Sequence, residues 1–330
     1  LTTLLADQDV LVTGGAGFIG SHLTEALVRA GARSVSVIDD LSTGSLDNLT
    51  AVRSSVDFTE GDICDPGVAA LATEKDLVFH LAVRNVRASI ANPRENLRVN
   101  ANGTLELLEA MRLGSRGRFV YVSSSEVYGI PPDGRYSELS LPAPTTVYGA
   151  GKLAGELITL AYHRTFGMDT MVIRPFNNYG PRSHFEGDSG EVIPKFILRA
   201  LLGRPLLVHG DGTQTRDYMF VEDTAHWLVR LAAIDMLIGD VLNIGTGEDV
   251  AVIDLARTII DMTGSASDVT HGIPRPGDLP RLCADIDKAR KLVDFELSVP
   301  FVEGLRRTIE HFRSADVERL LDEEVERNWL

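Results

Sequence analysis

Cysteine is nearly missing from this 330-residue chain, which carries only Cys64 and Cys283. Two thiols so far apart supply neither a disulfide framework nor a thiolate zinc site, and no C-x-x-C or H-E-x-x-H motif occurs. No metal site is expected, and a reduced, cytoplasmic setting is. Apolar runs stop short of the roughly 18 residues that mark a membrane-spanning helix. The opening residues have neither the basic segment nor the apolar stretch of a signal peptide, and Leu1 in place of methionine suggests a processed start. Basic residues are scarce as well: 32 Lys and Arg face 47 Asp and Glu, for a formal charge of -15. Nucleic-acid binding usually begins with phosphate neutralisation by clustered cations, so neither nucleic acid nor a membrane is an expected partner. A small phosphorylated ligand needs only two or three local arginines and stays open. What is present, 44% hydrophobic and 24% charged residues, is enough for one large domain or two modest ones and excludes whole-chain disorder.

Short β-branched runs alternate with helix-length segments. Asp9 to Thr13, Ser34 to Ile38, Asp76 to His80, Arg118 to Val122 and Asp169 to Ile173 read as strands, with helical patterns near Leu23 to Leu27, Gly103 to Met111 and Tyr148 to Arg164. This alternation predicts an α/β fold, a Rossmann-type doubly wound parallel sheet covered on both faces. After Asn177 the composition shifts to Gly, Pro, Arg and His, with helices expected over Val192 to Leu202, Trp227 to Ala233 and Val252 to Met262. The expected division is a nucleotide-binding part over residues 1–175 and a smaller C-terminal α/β substrate part over 176–330, with some chain crossing back. No internal repeat or low-complexity tract is evident.

The sharpest local signal is Gly14-x-x-Gly17-x-x-Gly20 between a strand and a helix. In that position Gly14 permits the tight turn, Gly17 admits a pyrophosphate to the helix N-terminus, and Gly20 allows close packing. The glycines alone are compatible with an ordinary turn. Asp39, nineteen residues beyond Gly20 at the end of the next strand, makes a dinucleotide site the stronger reading: its carboxylate suits two ribose hydroxyls and repels a 2'-phosphate. NAD is therefore expected over NADP. Asp62 and Ile63, at another strand end, are candidates for the adenine pocket, and Leu81 and Ala82 for covering the cofactor. His80 has no His or carboxylate beside it at metal-ligand spacing and reads first as a core histidine.

Ser123-Ser124-Ser125-Glu126 follows a predicted strand at the carboxyl end, where open sheets form ligand crevices. Tyr148 and Lys152 stand at i,i+4 on one helical face, so a phenol and an ammonium are neighbours. Beside Lys152 and a positively charged nicotinamide, Tyr148 is expected to favour its phenolate and act as a base. The Tyr-x-x-x-Lys spacing by itself is common by chance; together with the glycine loop it is informative.

Across nearly its whole length the chain resembles the extended short-chain dehydrogenase/reductase family, particularly its nucleotide-sugar epimerases, dehydratases and decarboxylases. The likeness rests on Thr13 to Leu23, Asp39 to Gly44, Asn100 to Thr104, Ser123 to Gly129, Tyr148 to Lys152, Arg174 to Arg182, Gly210 to Asp223 and Arg275 to Pro280. The resemblance implies Ser124 as the catalytic hydroxyl, Tyr148 as base and Lys152 as its assistant. Asn100 orients the site by the same likeness, and Phe18, Ile19 and Pro175 join Tyr148 and Lys152 among the NAD contacts. It implies a nucleotide-diphosphate sugar, UDP-linked, held by Asn177, Asn178, Arg182, Val192, Arg216, Arg275 and Asp278. A homodimer formed through helices near 100–112 and 149–165 is implied as well.

The expected opening step is oxidation of the sugar at C4, and the leading expectation is 4-epimerisation through a transient 4-ketone. Glu126 keeps two alternatives in view, since family members that eliminate use Glu at this place to remove the C5 proton. A 4,6-dehydratase commonly has Asp before that Glu where this chain has Ser125, while a 5,6-dehydratase or a glucuronic acid decarboxylase tolerates the Ser125-Glu126 pair. A non-catalytic NAD-binding regulator is the alternative of a different class.

Overall fold

The computed structural model describes residues 5–114, 117–129, 134–185, 190–275, 278–317 and 320. They form two compact units. The first takes the described residues up to Gly129, Leu141–Pro175 and Glu222–Ile244; the second takes the remainder, so the chain passes between units several times.

The first unit is built on a seven-stranded, all-parallel sheet. Its strands are β1 (Asp9–Thr13), β2 (Ser34–Asp39), β3 (Asp57–Glu60), β4 (Leu77–His80), β5 (Arg118–Val122), β6 (Thr170–Pro175) and the strand Val241–Ile244. Val10, Leu11 and Val12 of β1 and Val78 and Phe79 of β4 are wholly buried, the continuous apolar run that a sheet covered on both faces requires. β1 has β2 on one side and β4 on the other, with β5, β6 and Val241–Ile244 beyond β4 and β3 beyond β2. The chain therefore reverses its direction of winding between β1 and β4, and ligand crevices of open sheets lie at the carboxyl ends of such a pair. Leu11, Ile38, Leu107, Met111, Phe119 and Val172 belong to one apolar cluster of this unit.

Two helices differ from the sequence expectation. The segment before Thr104–Leu113 is a π-helical turn, Arg98–Gly103, and it carries Asn100. The helix expected from Trp227 begins at Val221, with Glu222 and Asp223 in its first turn, where acidic side chains favour the helix dipole.

In the second unit short strands pair in separate ladders: Asn177–Tyr179 with Tyr218–Phe220, Leu206–His209 with Val269–Gly272, and Thr215–Arg216 between Val250–Ala251 and Arg281–Leu282. The helices Val192–Leu201, Val252–Thr263 and Phe301–Arg313 bury Phe196, Ile197, Leu255, Ile259, Leu305 and Phe312 in a common cluster. Among the described residues no helix is long and apolar enough to cross a membrane.

Candidate active site

Gly14 closes β1 at φ +72, a conformation that favours glycine, with its N–H donated to the Ile38 carbonyl at 2.7 Å. A Cβ there would lie 2.7 Å from the Ala82 nitrogen, so the loops after β1 and β4 touch through backbone alone. Gly17 is the N-cap of the helix Phe18–Arg29, leaving that helix's first N–H groups at the head of the turn. A Cβ on Gly20 would overlap the Gly14 carbonyl oxygen. Phe18 is buried and Ile19 half-buried on this first turn.

Asp39 is almost fully buried at the end of β2. Its carboxylate accepts from the N–H groups of Ala16 and Leu41, both at 2.9 Å. Burial pushes this carboxyl up, and the backbone donors at Leu41 and Ala16 pull it back. Gly17 N–H adds a third backbone donor, so the carboxylate is fixed by main chain at the head of the glycine turn. Asp62 instead accepts from Cys64 N–H at 2.9 Å and from Arg98 at 2.6 Å. Ile63 is buried in the apolar cluster, against Gly103.

His80 is buried and bonded on both ring nitrogens, to the hydroxyls of Thr13 at 2.7 Å and Thr104 at 3.0 Å. Thr104 donates to the Asn100 carbonyl, and Thr13 accepts from Ala82 N–H. Those directions assign the neutral Nε2–H tautomer. Burial and the nearby Lys152 hold the ring well below its usual range. His80 thus ties β1 and β4 to the start of the helix Thr104–Leu113. Half-buried Leu81 donates its N–H to the Thr13 carbonyl at 3.0 Å, and Asn100 fixes the next stretch by accepting from Arg84 N–H at 2.9 Å and donating to its carbonyl at 3.1 Å.

Ser124 caps a single 3-10 turn, Ser125–Val127, its hydroxyl accepting the Glu126 N–H at 3.2 Å. Ser124 and Glu126 are half-buried and Ser125 is buried. Tyr148 sits at the second position of the helix Val147–Phe166, whose N-cap Thr146 accepts from Gly149 N–H at 3.0 Å. Three close approaches assemble the group. A Cβ on Gly149 would overlap the Glu126 carbonyl; one on Gly151 would lie 3.2 Å from the Asn100 Cβ. Lys152 Nζ donates to the Val122 carbonyl at 2.6 Å and stands 4.4 Å from the Tyr121 ring centroid. Burial pushes Lys152 down to about 7. The Ser123 hydroxyl beside this group is buried without a hydrogen-bond partner, a donor that sequence reasoning passed over and one that a bound cofactor would satisfy. Pro175 is buried at the end of β6, in register with Ile244.

In the second unit Arg216 pairs with Asp278 and donates to the carbonyls of Thr215 and Leu279, both at 2.8 Å. Tyr218, which opens the next short strand, was not singled out from the sequence. Its hydroxyl is buried and has no hydrogen-bond partner; burial pushes it up, while Arg216, Arg275, Asp278 and Glu191 all act on it. Of these, Arg216 and Asp278 are directly paired. Val192 begins a helix and packs on the apolar cluster. Asn178 donates to the Phe176 carbonyl at 2.9 Å, and Asn177 is half-buried beside it. Arg182, at φ +68, donates its backbone N–H to His311, apart from the Arg216–Asp278 pair in these contacts. Among the described residues there is no group of three or more His, Cys, Asp or Glu that could hold a metal ion.

The NAD dependent epimerase/dehydratase family matches residues 10–245. A dTDP-glucose 4,6-dehydratase of Streptomyces niveus is 36% identical over 92% of this chain and 92% of its own length. A UDP-glucose 4-epimerase of Mycolicibacterium smegmatis is 37% identical over 92% of this chain and 98% of its own. The structure of a dTDP-glucose 4,6-dehydratase from Streptomyces venezuelae with NAD and TYD bound superposes with a TM-score of 0.87 at 33% identity, covering 92% of this chain and 97% of that one.

Proposed function

The chain belongs to the NAD-dependent epimerase/dehydratase family, as an NAD-dependent enzyme of nucleotide-sugar interconversion, and on that premise we propose that it is a 4-epimerase of a UDP-hexose. The observation that carries this reading is the convergence of the Ser124 turn, Tyr148 and Lys152 at the carboxyl end of β5, with serine rather than an acid at Ser125.

The glycine turn, the Asp39 carboxylate held by backbone at the end of β2 and the unpartnered Ser123 hydroxyl suit NAD. When bound, NAD supplies a hydride acceptor. Asp39 holds the adenosine ribose, and Lys152 the nicotinamide ribose. Tyr148 takes the proton of the sugar C4 hydroxyl, and Ser124 hydrogen-bonds the oxygen as it becomes a ketone. Tyr148 gives its proton back to O4, and inversion at C4 would follow from the cofactor's hydride being returned to the opposite face once the ketone has turned over. In this reading the first unit serves the cofactor and the second the nucleotide sugar: Arg216 and Arg275 hold the diphosphate, Asp278 the nucleotide ribose, Val192 the base, and Asn177, Asn178 and Arg182 the sugar end.

Glu126 favours a second reading. It follows the Ser124 turn directly and is half-buried there, where a carboxylate could remove a C5 proton and drive loss of water or, from a glucuronic acid, accompany loss of carbon dioxide. Mass spectrometry and proton NMR of reactions with UDP-glucose, UDP-N-acetylglucosamine, UDP-glucuronic acid and dTDP-glucose, without added NADH, separate the readings. An equal-mass product inverted at C4 is expected. Products lighter by water or carbon dioxide, and no isomer, would replace epimerisation with elimination or decarboxylation.

A homodimer is part of the same proposal. Leu105 and Leu157 stay exposed on the helices Thr104–Leu113 and Val147–Phe166, apolar surface that suits a helix-to-helix contact. Sedimentation equilibrium is expected to return twice the 35.9 kDa chain mass, and a Leu157→Glu variant to return the monomer; a monomeric parent protein rules the contact out.

A further inference from the structure

Lys152 and Glu156 stand one turn apart on the buried side of the helix Val147–Phe166. Both oxygens of the Glu156 carboxylate are taken by Arg174, at 2.8 Å from Nε and 2.6 Å from Nη2. The remaining Arg174 nitrogen donates to the Tyr128 hydroxyl at 2.8 Å, and that hydroxyl donates to Asn243 at 2.7 Å. The guanidinium carbon also lies 4.8 Å from the Tyr128 ring centroid. The carboxylate is therefore held in two-point contact by Arg174, which is itself braced by Tyr128 and, through it, Asn243.

The position of this clamp matters because of what surrounds the ammonium. Lys152 has a neutral carbonyl and an aromatic face as its direct partners. The titratable groups acting in this neighbourhood are His80 from β4, Tyr121 from β5, and Tyr148 and Glu156 from its own helix, with Arg174 and Tyr128 behind Glu156. Glu156 is the one carboxylate in that set. Burial disfavours the ammonium and Glu156 favours it; Arg174 offsets part of that carboxylate's charge, and what remains acts one turn away in a low-dielectric setting that screens it weakly.

We propose that Glu156, clamped by Arg174, is a positioning residue that holds Lys152 as an ammonium near neutral pH. The consequence for turnover rests on the role proposed above for Lys152; the charge itself is measured on the protein alone. A lysine is charged below its midpoint, so removing Glu156 should leave Lys152 mostly neutral at pH 7 and move the alkaline limb of the turnover profile to lower pH.

The test is a 13C titration of the full chain labelled at Lys75, Lys152, Lys195, Lys288 and Lys291, with Lys152 assigned by its loss in Lys152→Met. In Glu156→Gln the Lys152 midpoint is expected to fall by about one pH unit; an unchanged midpoint overturns the proposal. Because this variant leaves Arg174 a buried cation without its partner, Glu156→Gln/Arg174→Met is measured beside it. A similar fall in the double variant supports the proposal, and a fall confined to the single variant overturns it by assigning the effect to Arg174. A fallen midpoint with an unmoved pH–turnover profile upholds the charge assignment and removes Lys152 from the proposed chemistry.

Discussion

Tyr148→Phe is expected to lower turnover by about two to four orders of magnitude, the usual contribution of a positioned acid–base group, while NAD stays bound. The substitution removes one oxygen and keeps the ring. The Thr146 cap on Gly149 and the Lys152 bond to Val122 involve neither atom of the lost hydroxyl, so the helix start and the ammonium should hold their places. Turnover of the preferred UDP-sugar and the NAD content of the purified variant are the two measurements. Activity within a few-fold of the parent would remove Tyr148 as the base and point to the Ser124 turn or Glu126. Loss of NAD together with activity would show that the phenol serves cofactor retention first.

The largest expected effect on stability falls on Asp217. This side chain is fully buried and accepts from Thr246 N–H at 2.8 Å, Thr246 hydroxyl at 2.7 Å, Gly247 N–H at 3.0 Å and Ala284 N–H at 3.1 Å. Gly245 packs so closely on it that a Cβ would lie 2.8 Å from the carboxylate. Asp217→Ala leaves three backbone N–H groups without an acceptor, each costing about 1–3 kcal/mol, for a total loss of about 3–5 kcal/mol. Urea unfolding should show the midpoint falling accordingly. Asp217→Asn, which retains one acceptor oxygen, should lie between the two. A loss under about 1 kcal/mol in the alanine variant would mean that water enters and takes over the three donors. Since Asp217 adjoins Arg216, partial unfolding here should also disturb the Arg216–Asp278 pair.

Much of the first unit is legible along the chain because its signals are local. Val10 to Val12 are apolar and β-branched or long, Gly14 needs a positive φ, and Asp39 stands at the end of the next strand. These follow from strand period, backbone sterics and turn chemistry, which act over a few residues. The parallel α/β class follows from the alternation of such segments. Less legible was the π turn at Arg98–Gly103, since its extra residue leaves no mark on an apolar pattern only a few residues long. Ile63 shows another limit: its strand-end position is legible along the chain, and its packing against Gly103 is not.

The sequence by itself determined the fold class, the glycine turn with Asp39 in register, and the i,i+4 placement of Tyr148 and Lys152, because each is specified by residues near one another in the chain. Tertiary structure alone decided which strands flank β1, that His80 is a neutral bridge between Thr13 and Thr104, that Glu156 meets Arg174, and that the Tyr218 hydroxyl is buried without a hydrogen-bond partner. Hydrogen bonds and charge pairs depend on distance in space and on the exclusion of water, and neither exists until strands distant in sequence have been laid side by side.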